Sequence, residues 1–97
     1  MSFDTQPQQT GNGALSLLNV SAATVVKAGS GRVARVSVSV AGAAGTVNDS
    51  LTTGAVAASN QIAVIPAAIG IYLIDWPFIS GLVVAPGAAQ VVAVSYL

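Results

Sequence analysis

The side chains that could do chemistry in this chain of 97 residues are few and far apart. Histidine and cysteine are both absent, so the commonest general base and the strongest nucleophile of enzymes are missing. The three carboxylates, Asp4, Asp49 and Asp75, stand singly in the sequence, without a cluster of bases or ligands around them. The sequence therefore predicts no catalytic residue and no cofactor, and a protein that is not an enzyme.

One short run of oxygen-bearing side chains, Asn48, Asp49 and Ser50, could in principle hold a cation. Calcium takes about six to eight oxygen ligands, and this run lacks the spacing of a calcium-binding loop. The favoured interpretation is an Asx turn, in which the side chain caps the local backbone. No metal site is predicted.

The densest group of large side chains is the segment Gly70–Gly81, which contains the only tryptophan of the chain. Its first part is rich in β-branched and aromatic residues, which predicts a strand that ends or bulges at Pro77. Both faces of this strand are largely apolar, so we expect a central strand or one covered by a partner subunit. The two faces are Ile71, Leu73 and Asp75 on one side and Tyr72, Ile74 and Trp76 on the other.

The aromatic and charged residues of this region are the candidates for a core or an interface. Aromatic side chains bury the largest areas, so Trp76 is expected in the core or in a subunit interface. Asp75 is expected either to accept backbone N–H bonds at the end of its strand or to pair with Arg32 or Arg35. These two arginines should face opposite sides of their strand. The complete set of core and interface candidates is Tyr72, Trp76, Phe78, Tyr96, Arg35 and Asp75.

The composition argues for burial against other protein surfaces. Charged residues make up 6% of the chain and the net charge is zero, which disfavours nucleic acid as a partner. The longest apolar run, Ile62 to Ile74, is interrupted by Pro66 and Gly70 and is shorter than the ~20 residues of a membrane helix. No membrane span or signal peptide is expected. A chain that is 54% hydrophobic and so weakly charged is expected to associate, with copies of itself or another protein.

Short apolar segments separated by turns rich in glycine and proline recur along the chain, and no amphipathic helix is evident. This pattern predicts an all-β fold, an antiparallel β-sandwich or jelly roll of about seven to eight short strands. We expect residues 14–97 to form one such domain. Residues 1–13 are polar and are expected to form a flexible N-terminal arm that is not needed for folding.

Two local predictions concern the first half of the domain. Residues 14–28 are expected to form one strand with an interruption near Ser21. The glycine-rich turn Ala28–Gly31 is expected to close a hairpin that leads into the clearest strand, Arg32 to Val40.

Three segments resemble small structural proteins of tailed bacteriophages: Gly45–Asp49 (GTVND), Ile65–Ala67 (IPA) and Gly70–Val84 (GIYLIDWPFISGLVV). The pattern covers about half of the chain. The resemblance implies a β-sandwich of the virion, assembled in the host cytoplasm, such as a capsid decoration (cement) protein or a small tail or head-fibre component. It implies no catalytic residues, and its expected partners are copies of itself and the major capsid or another virion protein. Analogy with viral jelly-roll proteins favours a homotrimer over a dimer.

A carbohydrate-binding or host-attachment module of a head fibre or tail is the alternative function. It would use Trp76 or Tyr96 as a platform for a sugar ring, and it requires that ring to be exposed beside polar groups. A small enzyme is a third possibility, which the missing histidine and cysteine disfavour. An oligomer with a buried apolar interface would favour the structural role, and a monomer with exposed Trp76 would favour sugar binding.

Overall fold

The computed structural model describes residues 15–97, which form two antiparallel four-stranded sheets packed face to face. The predicted all-β sandwich is confirmed. The predicted arm, residues 1–13, lies outside the described residues. The strands are Leu15–Val20 (β1), Thr24–Ala28 (β2), Gly31–Val40 (β3), Gly45–Asp49 (β4), Gln61–Ile65 (β5), Gly70–Phe78 (β6), Gly81–Ala85 (β7) and Val91–Tyr96 (β8).

The strands are nested in pairs. Sheet A has the order β1-β8-β3-β6, and sheet B has the order β2-β7-β4-β5. Each strand of the first half therefore pairs with its counterpart in the second half: β1 with β8, β2 with β7, β3 with β6 and β4 with β5. The chain is one long hairpin rolled into two sheets, which is the jelly-roll arrangement.

The predicted hairpin at Ala28–Gly31 is wrong. Gly29 does form a tight turn with a φ of 88°, but its N–H donates to the carbonyl of Ser80 at 2.9 Å and the chain crosses from sheet B to sheet A. The expected single strand over residues 14–28 is likewise two strands, β1 and β2, in different sheets. Turn chemistry is local, whereas the partner of each strand is decided by residues far away in the sequence.

Valine dominates the core between the sheets. Phe78 is the largest fully buried side chain, with 2% of its surface exposed. Tyr72, Ile74 and Tyr96 are partly buried and pack against this core. Complete burial of one such side chain contributes about 1.5–3 kcal/mol to stability. The core cluster consists of Val20, Val33, Val36, Val38, Val47, Ile65, Phe78, Leu82, Val84, Val92 and Val94.

A bulge in β3 changes which of its residues face the core. The pairing of β3 with β6 and with β8 shifts register between Val33 and Arg35, and both Val33 and Ala34 are buried. Arg32 and Arg35 consequently line the same pocket. The prediction that these two arginines face opposite sides is wrong, because it assumed unbroken alternation along the strand.

Strand β6 lies at the edge of sheet A, with β3 as its only partner strand among residues 15–97. Of the two expected arrangements, the central strand is wrong, and cover by a partner subunit stays a prediction. Ile71 and Leu73 point away from the core and are 72% and 69% exposed. Asp75 has a φ of 49° at the position where β6 carries an extra residue relative to β3, which is a β-bulge.

Candidate functional site

The outer face of sheet A is a shallow surface floored by small side chains. Paired residues of neighbouring strands share a face, and the register places Ser95 beside Arg35 and Arg35 beside Leu73. The exposed side chains of Leu18 on β1 and of Ile71 and Leu73 on β6 border this floor. The floor itself consists of Ser16, Ser37, Ala93 and Ser95.

The outer face of sheet B, by contrast, is partly covered by the chain itself. The segment 51–60 lies over it, and Asn48 is buried beneath, donating to the Oδ1 of Asn60 at 3.2 Å and to the carbonyl of Ala57 at 3.5 Å. Val83, which pairs with Asn48, is also fully buried although it lies outside the core cluster. Sheet A therefore carries the more open face, and β6 adds a strand edge whose outward N–H and C=O groups have no strand partner in the described part of the chain.

A pocket of about 290 Å³ at one end of this face contains most of the charge of sheet A. The Nε of Arg32 donates to the Oδ1 of Asp75 at 2.7 Å. This hydrogen bond and the positive charge of Arg32 lower the pKa of Asp75. Of the two partners expected for Asp75, Arg32 is therefore the observed one. The pocket is lined by Arg32, Ala34, Arg35, Leu73, Asp75 and Leu97.

Trp76 lies in a different place, a groove of about 250 Å³ between the edge strands β5 and β6. It is 56% exposed, so it is not a core residue of this chain, and its expected place in a subunit interface stays a prediction. The exposed side chains of Ser59 and Gln61 line the same groove and have no hydrogen-bond partner within residues 15–97. Asn60 beside them is held in place, because it accepts from Asn48 and from the N–H of Ala57.

The carboxylate of Asp49 fastens the turn between β6 and β7. It accepts the backbone N–H groups of Ile79, Ser80 and Gly81 at 3.0, 2.8 and 3.3 Å. Burial tends to raise the pKa of Asp49, but these three donors outweigh it and the pKa is lowered. The expected local Asx turn is therefore wrong for Asp49, because its carboxylate binds backbone groups of a turn that is distant in the sequence. Among the described residues, no group of three or more potential metal ligands occurs.

The structure separates the residues that the sequence analysis singled out. Phe78 is in the core, whereas Tyr72 and Tyr96 are partly buried against it. Arg35 and Asp75 both line the charged pocket, and Trp76 lies in the groove. Sequence analysis missed Leu73 as a surface residue and Gln61 as a neighbour of Trp76. The alternating positions of Ile71 and Leu73 on one face of β6 could have indicated that Leu73 is a surface residue. The position of Gln61 beside Trp76 could not be predicted, because it depends on the pairing of β5.

Within the described residues, no helix is long and apolar enough to cross a membrane. No protein-family model matches the sequence, and neither a curated protein nor a solved structure matches it. The resemblance to phage structural proteins therefore rests on the three segments alone, and a role for this chain has to be argued from its own surfaces.

Proposed function

We propose that this protein is a non-enzymatic structural protein of a tailed-phage virion, a capsid decoration protein that forms a homotrimer and binds the shell. The observation that carries the proposal is the exposed apolar side of β6, where Ile71 and Leu73 project from an open strand edge. The sequence resemblance supports the virion setting, and the jelly-roll strand order is one that viral capsid domains use.

Low charge strengthens the argument for association. Three basic and three acidic side chains give the chain little electrostatic protection against contact with other proteins. Burying the exposed faces of Ile71 and Leu73 removes apolar surface from water, at about 25 cal/mol per Å². Closed symmetry covers such a surface in every copy and prevents open-ended growth along the β6 edge.

The charged pocket at the end of β6 suits a specificity role in this association. Arg35 and the Arg32–Asp75 pair lie beside Leu73, so charge and apolar surface alternate over a short distance. Charges at the margin of an interface fix its register and exclude wrong partners more than they add affinity. Analogy with viral jelly-roll proteins favours a trimer, and a dimer is the alternative.

Light scattering of the purified protein at micromolar concentration tests the proposal. The wild-type protein should be oligomeric, and Ile71→Glu should be a folded monomer because it places a charge on the apolar side of β6. Leu51→Glu is the matched control, since Leu51 is 58% exposed but lies on the segment beyond β4. A stable wild-type monomer of 9.5 kDa would overturn the proposal.

The carbohydrate-binding alternative is favoured by one specific observation, the exposure of Trp76 in a groove that also presents Gln61 and Ser59. An aromatic ring packs against the C–H face of a sugar, and amide and hydroxyl groups hydrogen-bond to its hydroxyls. Tyr96 is partly buried against the core, so Trp76 is the platform in this alternative.

Tryptophan fluorescence tests the alternative directly, because Trp76 is the only tryptophan. Saturable quenching or a spectral shift on titration with neutral oligosaccharides, weakened by Gln61→Ala, would support sugar binding. Ser16→Ala, which removes an exposed polar side chain on β1 outside the groove lining, is the control. Unchanged fluorescence across a panel of neutral hexose and amino-sugar oligomers would eliminate the groove as a sugar site for those classes.

A further inference from the structure

The charged pocket at the end of β6 contains one more cation than carboxylates. Arg32, Arg35 and Asp75 line it, and the Nε of Arg32 donates to the Oδ1 of Asp75 at 2.7 Å. Within residues 15–97 the exposed guanidinium of Arg35 makes neither an ion pair nor a hydrogen bond, and only its backbone N–H is engaged, by Ser95. The other carboxylate oxygen of Asp75, Oδ2, likewise accepts no hydrogen bond from the described residues, and this side chain is 61% exposed. One pocket therefore presents an open donor and an open acceptor.

Both groups lie next to Leu73, the side chain that the proposed function places in a subunit interface. Arg35 pairs with Leu73, at about 5 Å between Cα atoms. Asp75 follows Leu73 two residues later on β6, at about 7 Å. The inference rests on the proposed function, because an interface that covers Leu73 also reaches the Arg35 guanidinium. Removing a guanidinium from water without a partner for its charge is unfavourable, so such an interface should supply an anion.

In an assembly of identical copies, that anion comes from the same sequence. Asp49 is unsuitable, because its two oxygens already accept three backbone N–H groups of the turn between β6 and β7. Asp4 lies outside the described residues. Among the carboxylates of residues 15–97, Asp75 is the one with an oxygen that accepts no hydrogen bond.

We propose that Arg35 of one copy donates to the Oδ2 of Asp75 of the neighbouring copy, so that each Asp75 lies between Arg32 of its own chain and Arg35 of the next. A guanidinium has five N–H donors and matches the geometry of a carboxylate. Because Arg35 and Asp75 flank the same Leu73, the contact requires the symmetry axis of the assembly to pass close to the charged pocket. The contact is then repeated at every interface of a trimer, and is made twice in a dimer.

Charge reversal tests whether the pair forms between copies. Arg35→Glu brings two carboxylates together at the interface and Asp75→Lys brings two cations together, so each variant alone should have a dissociation constant at least about tenfold above that of the wild type. Light scattering over a dilution series measures it. An equal mixture of the two variants should associate more tightly than either variant alone, because every contact between unlike variants again joins opposite charges. Mixing could not restore a pair that forms within one copy.

Neutral variants test whether the two side chains act on each other. Arg35→Gln and Asp75→Asn should each raise the dissociation constant about fivefold, and the double variant should associate no more weakly than the weaker single variant, because either change removes the same contact. Lys27→Gln removes a cation outside the pocket lining and is the control, with an unchanged dissociation constant expected.

Three results would overturn the proposal while wild-type protein remains an oligomer, and these leave the proposed function standing. They are a mixture that associates no better than its components, additive losses in the double variant, and an effect of Arg35→Gln that disappears in Asp4→Asn instead of in Asp75→Asn. A monomeric wild-type protein would overturn the proposed function and this contact together.

Discussion

Trp76 and Phe78 lie on the same strand and have the same side-chain direction, yet one is exposed and the other is buried. Phe78 pairs with Gly31 at the covered end of β6, whereas Trp76 lies over the gap between β5 and β6. Alternation identifies the direction of a side chain, but it does not show whether another element lies in that direction.

Truncation of the two rings should therefore have unequal effects. Phe78→Ala should lower the free energy of unfolding by about 3–5 kcal/mol, because it empties a packed core site. Trp76→Ala should cost less than about 1.5 kcal/mol, because more than half of the surface of this residue is in water. Denaturant unfolding at concentrations below association measures both. Equal losses would show that Trp76 is covered in solution.

Asp49 makes stability depend on pH in a predictable direction. Its pKa in the folded protein lies below the ordinary value of 3.8. The carboxylate therefore stabilises the fold fully above that ordinary value, and this contribution is lost as the pH falls through the lowered pKa. Asp49→Asn should be less stable than wild type at pH 7, and the difference should shrink below about pH 3.8.

Unfolding measured at pH 7 and at about pH 3 checks this expectation. Asp75→Asn is the control, because the Arg32–Asp75 pair is exposed and screened by salt. Its smaller effect should diminish as salt is added, while the effect of Asp49→Asn should persist. A pH-independent deficit in Asp49→Asn would mean that its charge contributes nothing.

At the scale of elements, contacts between turns help to hold the turns in place, and these contacts cannot be recognised from the turn sequences alone. Gln90 is buried, and its side chain donates to the carbonyl of Pro66 and accepts the N–H of Gly87. It thus joins the turn before β8 to the connection between β5 and β6. The glycine–proline content predicted turns here, but the contact between them arises only in the folded sheets.

Gly87 offers a direct test of this turn packing. A Cβ at this position would lie 2.2 Å from the carbonyl oxygen of Ala43 and 2.5 Å from that of Ala44, both backbone atoms. Gly87→Ala should therefore destabilise the protein by about 1–3 kcal/mol. Gly54→Ala, where a Cβ would meet nothing within 4 Å, should change stability by less than about 0.5 kcal/mol. Thermal unfolding of the two variants distinguishes them, and similar melting temperatures would contradict the packing argument.

Strand positions were largely predictable, and strand partners were not. The expected strand Arg32 to Val40 coincides with β3, which begins one residue earlier at Gly31. The expected hairpin between β2 and β3 failed, because those strands pair with β7, β6 and β8 instead. Local alternation encodes the existence of a strand, while pairing depends on packing among distant segments.

At the scale of the whole molecule, the fold presents two candidate surfaces in different directions. The outer face of sheet A combines Arg35 with exposed Leu73, and the groove between β5 and β6 combines Trp76 with Gln61. The sequence identified Arg35, Trp76 and the sandwich class from residue types and turn spacing. It could not assign them to separate surfaces, because the bulges and the edge position of β6 are properties of the assembled sheets.

The nested strand pairs also imply an order of folding. β4 and β5 are joined by the segment 50–60, whereas β1 and β8 come from opposite ends of the domain. Loop closure costs more entropy as the separation grows, so the β4–β5 pair should form early and the β1–β8 pair last. A circular permutant that links Tyr96 to Leu15 and opens the chain at Gly54 should keep both sheets but fold in the reverse order. Its φ-values should rise in β1 and β8 and fall in β4 and β5, and an unchanged pattern would show that topology does not set the route.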